Sequence, residues 1–293
     1  MNAFPKPDDD ADSLLNRSER VPIGELLAGL GKLTEAEIDR VLALQTKKNL
    51  RFCEAALKLG LLHREDVHHA LALQFDYPYV APAGSGLSPL LVVAHDPFGA
   101  KAESVRALRG QLALRWFDDR RKPLVVTAAR GGSGSSVVAA NLAIAFAQLG
   151  ERTLLVDANL RRPAQHALFG LGQADGLSSL LAGKSGLQKL LSPAPPFATL
   201  AVLCAGATPP NPHELLSTVH FSYTIETAPT AFDVVIIDSP PLLEYPDAQV
   251  IAARAGGCVL VTRRHKTSIA DLERAKECLD PTGAVLLGAV LND

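Results

Sequence analysis

Residues 124–150 read LVVTAARGGSGSSVVAANLAIAFAQLG, and this stretch decides the fold. Its opening LVVTA is a continuous apolar run of strand length. Arg130-Gly131-Gly132-Ser133-Gly134-Ser135-Ser136 comes next, and a helical pattern begins at about Val137. Strand, glycine-rich turn and helix in that order make a phosphate cradle. Glycines let successive N–H groups point inward, and the helix N-terminus adds positive potential. Gly131, Gly132, Ser133, Gly134, Ser135, Ser136 and Val137 are therefore the candidate nucleotide-binding residues. Ser136 stands where a P-loop hydroxyl ligates Mg²⁺.

Working outward toward the C-terminus, further apolar runs alternate with helical stretches. They are TLLVDA (153–158), LAVLCA (200–205), DVVIIDS (233–239), CVLVTR (258–263) and AVLLGAVL (284–291). Continuous apolar strands separated by helices imply a parallel sheet covered on both faces. The expected class is α/β, a doubly wound, mostly parallel sheet of P-loop NTPase type. Asp157 and Asp238 each leave a buried strand at its carboxyl edge, where open α/β folds bind ligands. The apolar run before Asp238 is what a Walker B strand requires, with a carboxylate beside Mg²⁺. Ser136, Asp157 and Asp238 are thus the candidate metal residues. The alternative, that both aspartates merely cap the next segments of chain, needs three separate strand ends to imitate one site.

Toward the N-terminus a small all-α domain precedes this sheet. Residues 1–20 are polar, with Asp8, Asp9, Asp10 and Asp12 clustered, and read as a disordered tail. Residues 21–80 hold a repeat: IGELLAGLGKLTEAEIDRVLALQ from Ile23, and FCEAALKLGLLHREDVHHALALQ from Phe52, a shift of 29. Each copy reads helix, Gly stop, N-cap, helix, with Gly31 as left-handed C-cap and Thr34–Glu37 as a capping box. Pro and Gly mark 81–97 as a linker. The second domain then runs from 98 to 293 and opens on a helix at about 99–117. That helix carries Glu103, Arg106 and Arg109 at i, i+3 and i+6, on one side.

Composition narrows the function. Of 293 residues, 47% are hydrophobic and 20% charged, enough for a real core and too little charge for a disordered chain. Lys+Arg 29 against Asp+Glu 31 gives −2, and aromatics are 5%, so neither a polyanion surface nor a base-stacking platform is expected. Cys53, Cys204, Cys258 and Cys278 form no C-x-x-C pair, which speaks against a zinc site or disulfide framework. With no leader-like opening and no membrane-length apolar run, a cytoplasmic protein is expected.

The loop at 131–136, LLVDANLRRP at 154–163 and VIIDSPP at 235–241 resemble the Walker A, A′ and B motifs of bacterial tyrosine kinases. GLSSLLAG (176–183), AGATPPNPHELLST (205–218) and CVLVTRRHKTS (258–268) look like the segments that family carries between its motifs. The whole chain looks like the chain-length-determinant tyrosine kinases of exopolysaccharide gene clusters. The resemblance implies ATP and Mg²⁺ as cofactors, Asp157 as base for a tyrosine hydroxyl, and a membrane-anchored polysaccharide co-polymerase as partner. It also implies cytosolic protein recruited to the inner membrane. E-x-x-R-x-x-R at Glu103, Arg106 and Arg109 is the family's oligomer-building motif, so self-association is expected; the plain alternative is a solvated face with one ion pair. The N-terminal repeat resembles the N-terminal domain of type II secretion ATPases. Some of those bind cyclic di-GMP through Arg-Leu-Gly openings. Here the openings are Val21-Pro22-Ile23-Gly24 and Arg51-Phe52-Cys53, so a docking or regulatory role is read in preference.

Three departures from the family pattern matter. Ser135 replaces the P-loop Lys, and a unit charge ~4 Å from a phosphate is worth on the order of 4 kcal/mol at a dielectric of ~20. Arg130, at the signature-Lys position of partition-type ATPases, is the candidate to compensate. Asn159 replaces the second acid of D-x-D-x-R. The last tyrosine is Tyr245, so tail autophosphorylation of the family's kind has no acceptor in this sequence. The readings are an active kinase-like phosphotransferase, a pseudokinase working by ATP-dependent assembly, or a partition-type ATPase using Arg130.

Overall fold

The computed structural model describes residues 21–75, 77–81, 84–117, 123–172 and 175–293. The expected tail at 1–20 lies outside them. Packing divides the described chain into two units: residues up to Ser85 with His95–Phe98, and Gly86–Ala94 with Gly99–Asp293.

The first unit is built on helices α1 (Ile23–Gly29), α2 (Glu35–Lys48), α3 (Phe52–Lys58) and α4 (Arg64–Phe75). Its core shows the sequence repeat in space. Leu27 and Ala56, Leu33 and Leu62, and Val41 and Ala70 are partners at the 29-residue shift, and all are buried. Gly31 and Gly60 end the first helix of each copy with φ of +68° and +69°, which a Cβ would penalise. The Thr34–Glu37 capping box forms, with Thr34 N–H donating to Glu37 Oε2 at 2.8 Å. In the second copy His63 N–H donates to Asp66 Oδ2 at 2.9 Å in the same way.

The second unit is a seven-stranded sheet flanked by helices. The strands are β1 (Leu124–Ala128), β2 (Thr153–Asp157), β3 (Leu191–Ala194), β4 (Phe197–Leu203), β5 (Val234–Asp238), β6 (Gly257–Arg263) and β7 (Val285–Asn292). Their order is β3-β4-β2-β5-β1-β6-β7. All neighbours are parallel except β3, which runs antiparallel to β4 at the edge. The central strands β1, β2 and β5 are buried along their whole length, as expected of a sheet covered on both faces. Helices α5 (Ala100–Arg115), α6 (Ser135–Ala147), α7 (Gln165–Leu168), α8 (Pro212–Leu216), α9 (Val219–Ala231), α10 (Asp247–Ala255) and α11 (Ile269–Leu279) position the site and its flanks. The Trp116 indole lies against β6: a Cβ at Gly257 would sit 2.3 Å from its Cζ2, so glycine is required there. Trp116 Nε1 donates to Pro123 O at 3.2 Å.

Two local differences from the sequence reading have clear causes. Helix α6 begins at Ser135, earlier than Val137, because Gly134 takes a left-handed conformation (φ +84°) as its N-cap. Strand β3 carries Pro193, which hides a strand from pattern reading and is tolerated at a sheet edge.

Candidate functional site

Three strand ends converge at the carboxyl edge of the sheet. β1 runs into the glycine loop, β2 ends at Asp157 and β5 ends at Asp238. Asp157 and Asp238 are register partners on adjacent strands. The loop's shape depends on Gly132 and Gly134, with φ of +80° and +84°. A Cβ at Gly134 would also lie 2.4 Å from Asn292 Nδ2. Arg263 Nη1 donates to Gly132 O at 3.0 Å, and Asn292 Nδ2 donates to Ser133 O at 2.9 Å. Across a trans peptide the N–H points opposite the C=O. Tying those two carbonyls to β6 and β7 therefore turns the amides of Ser133 and Gly134 the other way. The Ser133 hydroxyl caps the turn by donating to Arg130 O at 3.0 Å.

Asp157 is fully buried and accepts three backbone N–H groups: Ala164 and Gln165 on Oδ2 at 3.0 Å each, and Asn159 on Oδ1 at 3.2 Å. Burial nevertheless pushes its carboxyl above the ordinary range, against those donors. Asp238 is also fully buried and is pushed up by burial first and by the charge of Asp157 second; Ser136 and Gln165 pull it down. Gln165 joins all three motifs. Its backbone N–H serves Asp157, while its Nε2 donates to Asp238 Oδ2 at 2.8 Å and to Ser136 O at 3.1 Å.

Asp238 Oδ1 and Gln165 Oε1 are buried with no hydrogen-bond partner. A buried carboxylate oxygen without a donor is costly, and two carboxylates side by side repel. A hard divalent cation relieves both, so the residues fit Mg²⁺. Among the described residues no three His, Cys, Asp or Glu side chains gather as a metal cage. Such a cation would be held by Asp238 and the Ser136 hydroxyl, with Asp157 reached through water, and by phosphate oxygens, as Mg²⁺ prefers.

The other expected residues are spread around this centre. Arg130 lies on the surface, with Nε 3.0 Å from Asp271 Oδ1 at the start of α11. Asn159 Oδ1 accepts the N–H of Arg162 at 3.1 Å, so its side chain shapes the loop after β2. Arg161 pairs with the buried Asp247, which also meets His213 Nδ1 at 3.2 Å, and lies 4.7 Å over the Tyr245 ring. On α5, Glu103 pairs with Arg106 at 2.7 Å, whereas Arg109 Nη1 donates to Ala145 O at 2.6 Å. Ser135 and Val137 lie in the first turn of α6. The sequence reading did not single out Gln165, Arg263, Asn292 or Glu244. Glu244 Oε1 accepts the Gly131 N–H at 2.6 Å.

Comparison with known proteins agrees with this fold. The CobQ/CobB/MinD/ParA nucleotide binding domain family matches residues 124–292. The putative tyrosine-protein kinase CapB of Staphylococcus aureus is 36% identical over 214 residues, 73% of this chain and 92% of that protein. Tyrosine-protein kinase YwqD of Bacillus subtilis is 38% identical over 209 residues, covering 71% and 88%. The solved kinase domain of Escherichia coli tyrosine kinase ETK superposes with a TM-score of 0.67 at 34% identity, covering 71% of this chain and 80% of that one.

Proposed function

The chain belongs to the bacterial tyrosine-protein kinases, within the CobQ/CobB/MinD/ParA class of nucleotide-binding domains, and from that premise we propose that it binds Mg-ATP between Gly131 and Val137. The observation that carries this reading is the pair of buried register partners, Asp157 and Asp238, set beside the N-terminus of α6 with one carboxylate oxygen unpartnered. Ser136 and Asp238 are assigned to Mg²⁺, with Asp157 joining through water. Mg²⁺, when bound, neutralises charge building on the phosphate oxygens. The loop amides bind phosphate. Asp157, whose carboxyl burial raises, is assigned to accept the proton of a hydroxyl. Calorimetry with Mg-ATP tests the reading: binding is expected in the parent, and Asp238→Ala is expected to abolish its Mg²⁺-dependent part. No binding at millimolar ATP would reject it.

The cellular role we assign is control of exopolysaccharide chain length, polymerisation or export, together with a membrane-anchored co-polymerase. Among the described residues no helix is long and apolar enough to cross a membrane, which supports recruitment by a partner. The module at 21–80 is assigned to docking or regulation, the segment 81–97 to linking, and residues 98–293 to the nucleotide domain. Glu103, Arg106 and Arg109 are assigned to self-association.

A second reading is favoured by a specific observation. Ser135 stands where a P-loop cation belongs, and Arg130 is turned to Asp271. That arrangement supports a weak kinase acting through nucleotide-dependent assembly over a partition-type ATPase. Anti-phosphotyrosine detection with and without ATP and partner separates turnover from assembly.

A further inference from the structure

Glu244 brings a carboxylate to the glycine loop. The segment that carries it is pinned to the end of β1: Leu242 and Leu243 N–H groups donate to Ala128 O and Ala129 O at 2.9 and 3.1 Å. Glu244 N–H donates back to Pro241 O at 3.3 Å, which fixes the local turn. From this backbone the side chain reaches the Gly131 N–H at 2.6 Å. Both oxygens crowd that residue, since a Cβ at Gly131 would lie 3.3 Å from Oε1 and 3.5 Å from Oε2. An anionic oxygen thus occupies a loop amide in the manner of a phosphate oxygen.

Position decides what this does. The inner phosphates of a nucleotide sit over the amides at the helix N-terminus, and the terminal phosphate extends toward the outer end of the loop. Gly131 is at that outer end, four residues before Ser135 opens α6. A cation normally meets the terminal phosphate. Here the cation's place is Ser135, and the side chain on the outermost amide is an anion; of the guanidinium groups nearby, Arg263 is engaged with Gly132 O, and Arg162 Nη1 stands 3.7 Å from where a Cβ at Gly131 would be, against 3.3 Å for Glu244 Oε1. Both changes act against the same phosphate and leave the inner ones alone.

We propose that Glu244 is a specificity-determining residue, which occupies the place of the terminal phosphate and makes the site prefer nucleoside diphosphate over triphosphate. The proposal rests on the nucleotide-binding reading of this site. A like charge a few ångströms from phosphate at the exposed rim of the loop is sufficient for a preference of about tenfold.

The test is calorimetric titration of the full chain with Mg-ADP and with Mg-ATP, using the parent, Glu244→Gln and Glu244→Ala. Gln keeps the size and the acceptor and removes the charge. The parent is expected to bind Mg-ADP about tenfold tighter or more, and both variants to shift the ratio toward Mg-ATP by about tenfold, with Mg-ADP affinity nearly unchanged. An unchanged ratio in both variants, or weaker Mg-ATP binding in Glu244→Gln, overturns the proposal and leaves the nucleotide site standing. If no protein of the three binds either nucleotide at millimolar concentration, the site reading fails and takes the proposal with it. Glu244 is exposed, so the variants are expected to fold, and far-ultraviolet dichroism checks that.

Discussion

Gln165 holds Asp238 and the first turn of α6 with one amide: its Nε2 lies 2.8 Å from Asp238 Oδ2 and 3.1 Å from Ser136 O. Its backbone N–H meanwhile fixes Asp157. One fully buried side chain therefore sets the spacing between the glycine loop and both carboxylates. Replacing it with Leu takes the amide donor from the buried Asp238 Oδ2, whereas Ser136 O keeps its place in the hydrogen-bond ladder of α6. Gln165→Leu should lower stability by about 1–3 kcal/mol in urea unfolding and weaken Mg-ATP binding. Unchanged stability together with unchanged affinity would remove Gln165 from the site.

The two carboxylates make stability depend on pH. Both have folded pKa values raised by burial, so the folded state favours their protonated forms. Stability from this pair is complete below the unfolded carboxylate pKa of ~4 and is lost as pH rises through the raised values. Without cation, Tm should therefore fall between acid and neutral pH, and Mg²⁺ with nucleotide should restore more of it at pH 8 than at pH 5. Asp238→Asn should flatten both trends. A melting series across pH, with and without Mg-ADP, reads this directly.

Gly134→Ala combines two penalties: a positive φ and a Cβ 2.4 Å from Asn292 Nδ2. A loss of more than about 1 kcal/mol is expected. Asn292→Ala by itself loses the bond to Ser133 O, so the cost of Gly134→Ala is compared in the two backgrounds: in Asn292→Ala it should shrink to the backbone part. An equal cost in both backgrounds means that contact with Asn292 plays no role.

Restoring the missing cation is a direct test of turnover. Ser135→Lys should raise phosphate release by tenfold or more, about 1.4 kcal/mol of transition-state stabilisation. Arg130→Ala should change it little, because Arg130 is paired with Asp271. Loss of turnover in Arg130→Ala would instead give Arg130 the compensating role.

On α5, triple Ala replacement of Glu103, Arg106 and Arg109 should lower the mass seen by light scattering. Arg109 also satisfies Ala145 O near the end of α6. Arg109→Ala alone should therefore reduce Tm, with a cost of about 1–2 kcal/mol. Glu103→Ala removes only the exposed half of the pair with Arg106 and should leave Tm almost unchanged. Equal effects of the two would argue against the contact to α6.

Chain order carried much of this architecture. Buried strands announce themselves as apolar runs, and acids at their ends fall at one sheet edge; Asp157 and Asp238 were legible for that reason. The repeat at 21–80 was legible because its core uses equivalent positions. Other parts depend on distant contacts that no local pattern encodes. Asn292 meets Ser133 across 159 residues, Arg263 meets Gly132 across 131, and Glu244 meets Gly131 across 113. Gln165 sits eight residues past Asp157 in a stretch without a local signature, and only the return of that loop over β5 gives it a role. Arg109 shares a motif with Glu103 and Arg106 but faces α6, a distinction that helical spacing alone does not make.

The packing of Trp116 against Gly257 has an optical consequence. The chain holds one tryptophan, so its indole emission comes from a single place, beside β6 with its N–H on Pro123 O. That ring loses its surroundings when β6 separates from the end of α5. Its emission colour is therefore a built-in gauge of sheet integrity, read without any dye or label.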